Sequence, residues 1–281
     1  MNSSVAAGRL YVVSTPIGNL GDFSFRAIDV LRGVSVILAE DTRHSRTLLN
    51  RYEIRTPVAS YHEHNEAKMT PGLIERLRDG EQLALISDAG TPLLSDPGAR
   101  LVAAAIDADI TVTPIPGASA LLSALVASGI SADRFTFFGF LPRKGRERAS
   151  MLAELASLTH TAVLYEAPTR LAETIAELEE HGAGQKKIAV AREMTKQYEE
   201  VRRGTVSALR AYYNDTAPKG EVVIVLAGAD ARIVDESDVR ARARALAAQG
   251  RSARDVVAQL VAELGVPRNR AYAIVEEEKS A

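Results

Sequence analysis

The sequence predicts an α/β fold of two domains followed by a small helical appendage. Three observations carry this reading. Short, nearly continuous apolar runs alternate with amphipathic stretches, the alternation comes in two series, and it stops near Ala231. A chain of 281 residues, 46% of them hydrophobic, fits two domains at roughly 100–200 residues each.

The first series places strands at Leu10–Ser14, Val34–Ala39, Pro57–Tyr61, Leu83–Asp88 and Ile110–Ile115. Continuous apolar runs are what strands show when helices cover both sheet faces. Amphipathic stretches between them, Phe25–Leu31 and Leu73–Leu77 among them, complete a βαβ alternation and predict a parallel sheet. The domain change falls near Pro116–Gly117, before a helix over Ala118–Ser128. The second series places strands at Phe135–Phe140, Thr161–Tyr165, Lys187–Arg192 and Glu221–Ala227, with helices near Glu147–Leu158 and Arg170–His181. Val201–Thr205 reads as an antiparallel return strand. In the tail, Val256, Leu260 and Leu264 share one helical face, Gly265 ends that helix and Pro267 opens the next. Ala253–Val275 thus reads as a helix–turn–helix. The expected units are a loose terminus over 1–8, domains over 9–117 and 118–230, and a helical tail over 231–281.

Composition excludes several classes of chemistry. With no cysteine there are no disulfides, thiol nucleophiles or iron–sulfur clusters, which fits a reducing cytoplasm. No apolar run approaches the roughly 20 residues of a membrane helix. The opening Met1–Gly8 lacks the layout of a signal peptide. At a net charge of −2, any binding of nucleic acid has to come from a local basic patch.

Three turns follow predicted strands, where open α/β sheets bind ligands: Ser14–Asp22, Ser87–Pro92 and Pro114–Ser119. Each combines glycine, which lets a backbone approach a ligand closely, with Ser, Thr or Asp. One such turn is ordinary turn chemistry, but three at corresponding strand ends point to a ligand cleft. Gly18-Asn19-Leu20-Gly21 is not the dinucleotide fingerprint and no Walker lysine follows a glycine loop, so NAD and ATP enzymes fit poorly.

The run Leu10-Tyr11-Val12-Val13-Ser14-Thr15-Pro16-Ile17-Gly18-Asn19-Leu20-Gly21-Asp22 resembles the opening of the tetrapyrrole methylase superfamily. Ala39-Glu40-Asp41-Thr42-Arg43, Tyr61-His62-Glu63-His64-Asn65-Glu66 and Ser87-Asp88-Ala89-Gly90-Thr91-Pro92 resemble one branch, the ribosomal RNA small subunit methyltransferase I family. Gly139–Lys144, Tyr165–Pro168, Ala191–Glu193 and Lys219–Glu221 agree with it.

The resemblance implies a two-domain tetrapyrrole-methylase-like fold with S-adenosylmethionine in the interdomain cleft, usually in a homodimer. It implies 2′-O-methylation of a cytidine ribose in the decoding region of small-subunit ribosomal RNA. It places Pro16, Asp88, Ala89, Gly90, Thr91, Ser119 and Ala120 against the cofactor from the first three turns. Glu166, Ala167, Met194, Pro218, Lys219 and Gly220 close over it from the second domain. Tyr165-Glu166 and Asp88-Ala89-Gly90 stand where tetrapyrrole-modifying relatives favour Tyr-Met and Gly-Gly-Asp, which favours the RNA branch.

Asp41 matches an acidic position on the substrate side of that cleft and is the candidate general base; the alternative is a helix N-cap before Thr42–Leu49. Arg43 and Arg192 suit phosphate contacts or surface ion pairs. Arg143, Lys144, Arg146 and Arg148 surround Gly145 with Glu147 as counter-charge, a basic loop suited to RNA. His62, Glu63 and His64 lack an evident third metal ligand, so no metal is expected, and methyl transfer needs none. The tail arginines Arg240, Arg242, Arg244, Arg251 and Arg254 point to docking on the ribosomal subunit or to a packing appendage. The competing readings are a tetrapyrrole or other small-molecule methyltransferase and a non-catalytic RNA-binding protein.

Overall fold

The computed structural model describes residues 8–216, 218–229, 236–264 and 266–280. The opening residues 1–7, the boundary expected at 230/231 and Gly265 lie outside the described residues. Gly8, expected in a loose terminus, is buried, and a Cβ there would lie 1.9 Å from the Leu77 carbonyl oxygen.

The first sheet is built from β1 (Arg9–Val13), β2 (Val36–Ala39), β3 (Val58–Ser60), β4 (Gln82–Ile86) and β5 (Thr111–Ile115). Its order is β3-β2-β4-β1-β5 and every pair is parallel. Side chains alternate across it. Val13, Ile37, Ala84 and Ile86 pack under α1 (Phe25–Gly33) and α2 (Thr42–Arg51). Leu10, Leu38, Leu83 and Leu85 pack under α3 (Glu66–Arg78) and α4 (Ala99–Asp107). This double cover is why the strands read as unbroken apolar runs. The order turns back between β4 and β1, so the loops after those strands meet at the switch point where such sheets bind ligands.

The second sheet contains β6 (Phe135–Phe140), β7 (Thr161–Glu166), β8 (Lys187–Arg192), β9 (Glu200–Thr205) and β10 (Val222–Leu226), in the order β6-β7-β10-β8-β9. It is mixed: β6 and β7 are parallel, while β10 runs antiparallel to β7 and β8, and β9 returns antiparallel to β8. Strand periodicity carries no direction, so the antiparallel insertion of β10 could not be read from the pattern. The helix α5 (Ala120–Ser128) packs on one face through Leu121, Ala124 and Leu125. On the other face lie α6 (Arg146–Ser157), α7 (Leu171–Leu178) and α8 (Val206–Asp215). The tail is three helices, α9 (Glu236–Ala248), α10 (Ala253–Leu264) and α11 (Arg268–Ser280), around their own core of Val239, Leu246, Val257, Leu260 and Ile274.

A buried charge network organises the second domain. The Glu166 side chain is 0% exposed. Its Oε2 accepts from the Thr174 hydroxyl at 2.6 Å and its Oε1 from the Ala167 amide at 2.8 Å. Arg170 Nε lies 3.3 Å from Oε1 and Arg148 Nη1 4.0 Å from Oε2. Arg148 also pairs with Glu177 and donates to Thr174. Arg148 was expected in the exposed basic loop; it is 3% exposed and belongs to this network instead, because its helical position faces α7. Breaking a buried pair leaves an uncompensated charge, so Glu166→Ala should lower stability by about 3–5 kcal/mol. Urea unfolding checks this, and a loss under 1 kcal/mol on that scale would show the network to be dispensable.

Candidate active site

The tips of β1 and β4 are tied by a short antiparallel bridge. The Thr15 amide donates to the Gly90 carbonyl at 2.8 Å, and the Gly90 amide to Thr15 at 3.1 Å. Gly90 has φ +85°, and a Cβ on it would lie 3.1 Å from Ile17 Cγ2. The third turn ends in Ser119, whose hydroxyl caps α5 by accepting from the Leu122 amide. These turns form one wall of a cavity of about 370 Å³ between the two sheets. Ala89, Gly90, Thr91 and Ala120 line it from the expected turns, and Ala167 and Gly220 face them from the second domain. Glu166 also borders it, but with its side chain fully buried only its main chain faces the space.

Several expected contacts lie elsewhere. Pro16 and Asp88 line an adjoining cavity of about 260 Å³. Pro218 and Lys219 line a separate groove with Arg192, Tyr212 and Tyr213. Arg192 there pairs with Glu200 and donates to the Lys219 carbonyl. Met194 packs beside the α5 core rather than lining the cavity. Arg43 is exposed on α2, and Arg143, Lys144 and Arg146 are exposed at the start of α6. The Arg148 and Arg170 guanidiniums hold this loop by donating to the Pro142 carbonyl, each at 3.1 Å.

Other lining groups were not read from the sequence. Phe140 and Tyr165 bring aromatic rings, with centroids 5.5 Å apart. Ser95 and Asp96 extend the second turn beyond Pro92. Burial, with the Glu40 and Asp88 carboxylates nearby, pushes Asp96 up to about 6. The one legible signal was the Asp-Pro-Gly run at Asp96–Gly98, which prolongs the turn after β4. Asp41, by contrast, caps α2: its Oδ1 accepts from the Arg43 amide at 2.7 Å and the His44 amide at 3.3 Å. Those two bonds hold its carboxyl below the usual range, which disfavours taking a proton. Its own amide donates to Asp88 Oδ1 at 3.1 Å.

A strap from the second domain, 193–199, crosses to the first turn. The Asn19 amide donates to Thr195 Oγ1 at 3.1 Å. The Lys196 stem runs so close to Gly18 that a Cβ there would lie 2.4 Å from Lys196 Cγ. Its ammonium binds Glu193 Oε1 at 2.9 Å and Glu221 Oε2 at 3.2 Å. Of the six described non-glycine residues with positive φ, four, Leu93, Ser95, Glu193 and Thr195, lie in the turn after β4 and in the strap; Glu53 and Asp109 lie elsewhere. His62–Asn65 form a turn before α3 rather than a strand, and the His62 and His64 rings meet edge to face with centroids 5.9 Å apart. Among the described residues no group of three or more His, Cys, Asp or Glu side chains is placed to hold a metal. No described helix is long and apolar enough to cross a membrane.

Residues 9–210 match the tetrapyrrole (corrin/porphyrin) methylase family. A protein of Synechocystis sp. named ribosomal RNA small subunit methyltransferase I is 46% identical over 268 residues, 94% of this chain and 96% of the relative. The chain belongs to this family and to that branch of it. A Bacillus subtilis protein of the same name is 41% identical over 278 residues, 96% of this chain and 95% of the relative. Among solved structures, diphthine synthase superposes with a TM-score of 0.59 at 14% identity, over 79% of this chain and 90% of that one. A uroporphyrin-III C-methyltransferase from Thermus thermophilus, complexed with S-adenosyl homocysteine, gives 0.57 at 16% identity, over 78% and 97%. Both show the shared fold.

Methyltransferases of this family use S-adenosylmethionine, and the larger cavity fits it. Its size is that of small-molecule sites. Glycine and alanine leave room at both walls, two rings offer apolar faces, and the Asp96 carboxylate suits a cationic ligand. Gly220→Ala should test the fit. Gly220 has φ +86°, and a Cβ there would lie 2.3 Å from the Glu193 carboxylate. Gly129, at φ +74°, has nothing within 4 Å of its Cβ position. Both substitutions carry about 1–2 kcal/mol of left-handed strain. Only Gly220→Ala should weaken S-adenosylmethionine binding in calorimetry, by roughly tenfold or about 1.4 kcal/mol. Equal affinity in the two variants would remove the Gly220 turn from the site.

Proposed function

We propose that this protein is an S-adenosylmethionine-dependent methyltransferase of small-subunit ribosomal RNA that methylates the 2′-hydroxyl of a cytidine in the decoding region. The observation that carries the reading is the cavity built jointly by the β1 and β4 turns and the second sheet, with a basic loop leading away from its rim. The relatives' shared name supports the RNA class of substrate. The protein acts in the cytoplasm, and the working unit is a homodimer.

When bound, S-adenosylmethionine supplies an electrophilic methyl group on a sulfonium centre. The chain's own part is to align a ribose hydroxyl with it and to take the hydroxyl proton. Alignment alone contributes on the order of 7–11 kcal/mol. Ala89, Gly90 and Gly220 hold the donor side by close backbone approach. Arg143, Lys144 and Arg146 hold phosphates outside the cavity, where the unpaired amides of the α6 N-terminus add positive potential. Arg43, exposed on α2, adds a further phosphate contact. Asp41 reinforces the wall through its bond to Asp88, and the proton acceptor is Asp96. It lines the cavity, and its raised pKa lies close to working pH, where a general base is most effective.

A transfer assay tests the substrate class. Radiolabelled methyl should pass to small ribosomal subunits lacking their ribose methylations, and mapping should place the label on a cytidine 2′-oxygen. Label in a porphyrinogen offered in parallel, and none in the RNA, would move the chain to tetrapyrrole chemistry. The proton acceptor has its own signature. A base works only when ionised, so kcat/KM should rise with pH through about 6 and then level off. Asp96→Asn should lower the single-turnover rate by roughly 10²–10⁴-fold and abolish that rise. A variant that keeps both the rate and the rise assigns the proton elsewhere.

A further inference from the structure

Beside the cofactor cavity lies the second space of about 260 Å³, and the two share Ile17, Ala89 and Glu221 as common wall. Ser45 of α2 borders it, is only 3% exposed, and its hydroxyl has no hydrogen-bond partner. That hydroxyl is sealed from the space, so the polar edge of the cavity is set by Asp88 rather than by Ser45. Asp88 borders the same space, with Oδ1 accepting the Asp41 amide. The Lys196 ammonium, fixed by Glu193 and Glu221, stands at the edge. On the outside, α2 presents exposed Arg43, Arg46 and Arg51 and carries no acidic residue from Thr42 to Arg51.

A space with apolar side chains for the faces of a ring and a carboxylate for its edge, flanked by exposed arginines, suits a nucleobase turned out of an RNA strand. Single-stranded RNA is read in this way, with the base splayed out and its edge hydrogen-bonded. A carboxylate accepts but does not donate, so it selects a base edge that offers an amine; Asp accepting from cytosine N4 is such a pairing. Uracil presents a carbonyl oxygen at that position and would be repelled. We propose that this second cavity seats the base of the target nucleotide, with Asp88 accepting its exocyclic amine. The ribose then lies at the wall shared with the cofactor cavity. This rests on the RNA reading above, and it gives Asp88 a substrate role in place of the cofactor contact expected from resemblance.

The test uses the full chain and small ribosomal subunits that carry either cytidine or uridine at the methylated position. Wild-type protein should prefer cytidine, both in methyl-transfer kcat/KM and in competition binding without methyl donor. Asp88→Asn keeps an oxygen for the Asp41 amide and offers an amine to uracil. It should shift the cytidine-to-uridine ratio towards uridine by roughly tenfold or more. Thermal unfolding of Asp88→Asn close to that of the wild type reports an intact fold. Unchanged base ratios in Asp88→Asn, with RNA still methylated by the wild type, would overturn the base pocket and leave the RNA reading standing. No methylation of any subunit by the wild type would overturn both.

Discussion

The Glu166 carboxylate, buried among Arg148, Arg170 and Thr174, is the constraint on which the second domain's half of the cleft depends. An isolated charge there would be strongly unfavourable, so the arginines, a hydroxyl and an amide must all hold their places around it. Those partners reach in from α6 and α7 and fix the end of β7. The same guanidiniums also bond the carbonyls at Leu141 and Pro142, directly after Phe140. One network therefore sets two things: the cavity wall at Phe140 and Tyr165, and the point from which the basic loop departs. The loop's exposed cations sit on a rigid base rather than on a free segment, which lowers the entropy lost when they meet a partner.

The first domain supplies its half by different means. Its sheet brings the β1 and β4 tips together at the switch point, and the Thr15–Gly90 bridge locks them. Across the opening, the 193–199 strap is held by Lys196 between two glutamates and by Asn19 on Thr195. Positive φ at Glu193 and Thr195 shows that these contacts override local preference, at about 1–3 kcal/mol for each such residue. The strap contacts the first turn and its lysine borders the second cavity, so it ties the two sheets together at that opening.

Much of this was legible in the sequence, and the rest was hidden for definite reasons. The central strands β2, β4, β7, β8 and β10 were readable because burial on both faces leaves unbroken apolar runs. The turns at Ser14–Asp22 and Ser87–Pro92 were readable from their glycines. What residue types cannot show is direction. Glu166 sits at the cavity in sequence, yet its side chain turns into the core. Arg148 looks like its basic neighbours, yet one helical step carries it inside. Pro218 and Lys219 adjoin Gly220 and still face another groove. In the tail, Arg240, Arg242 and Arg244 pair with Glu277, Glu263 and Glu278, so these cations staple the three helices together. Asp96 was missed because its character comes first from burial and then from Glu40 and Asp88, all of which arise only on folding.

Charge is sorted within the site in a way that net charge conceals. Carboxylates gather at the junction of the two cavities, where Asp96 borders one and Asp88 the other. Exposed arginines and lysine lie outside, on α2 and at the start of α6. For a polyanion the interior is repulsive and the rim attractive, and the interior interaction is the stronger per charge because the local dielectric is lower. On the proposed reading, phosphates stay at the rim while a neutral base and ribose enter. A chain with a net charge of −2 can bind RNA on such terms, since the field near the strand is set by the rim. The same carboxylates favour a cationic donor over an anionic competitor in the neighbouring space. On that reading one acidic junction serves both cavities, drawing the cation to one side and refusing the phosphate on the other.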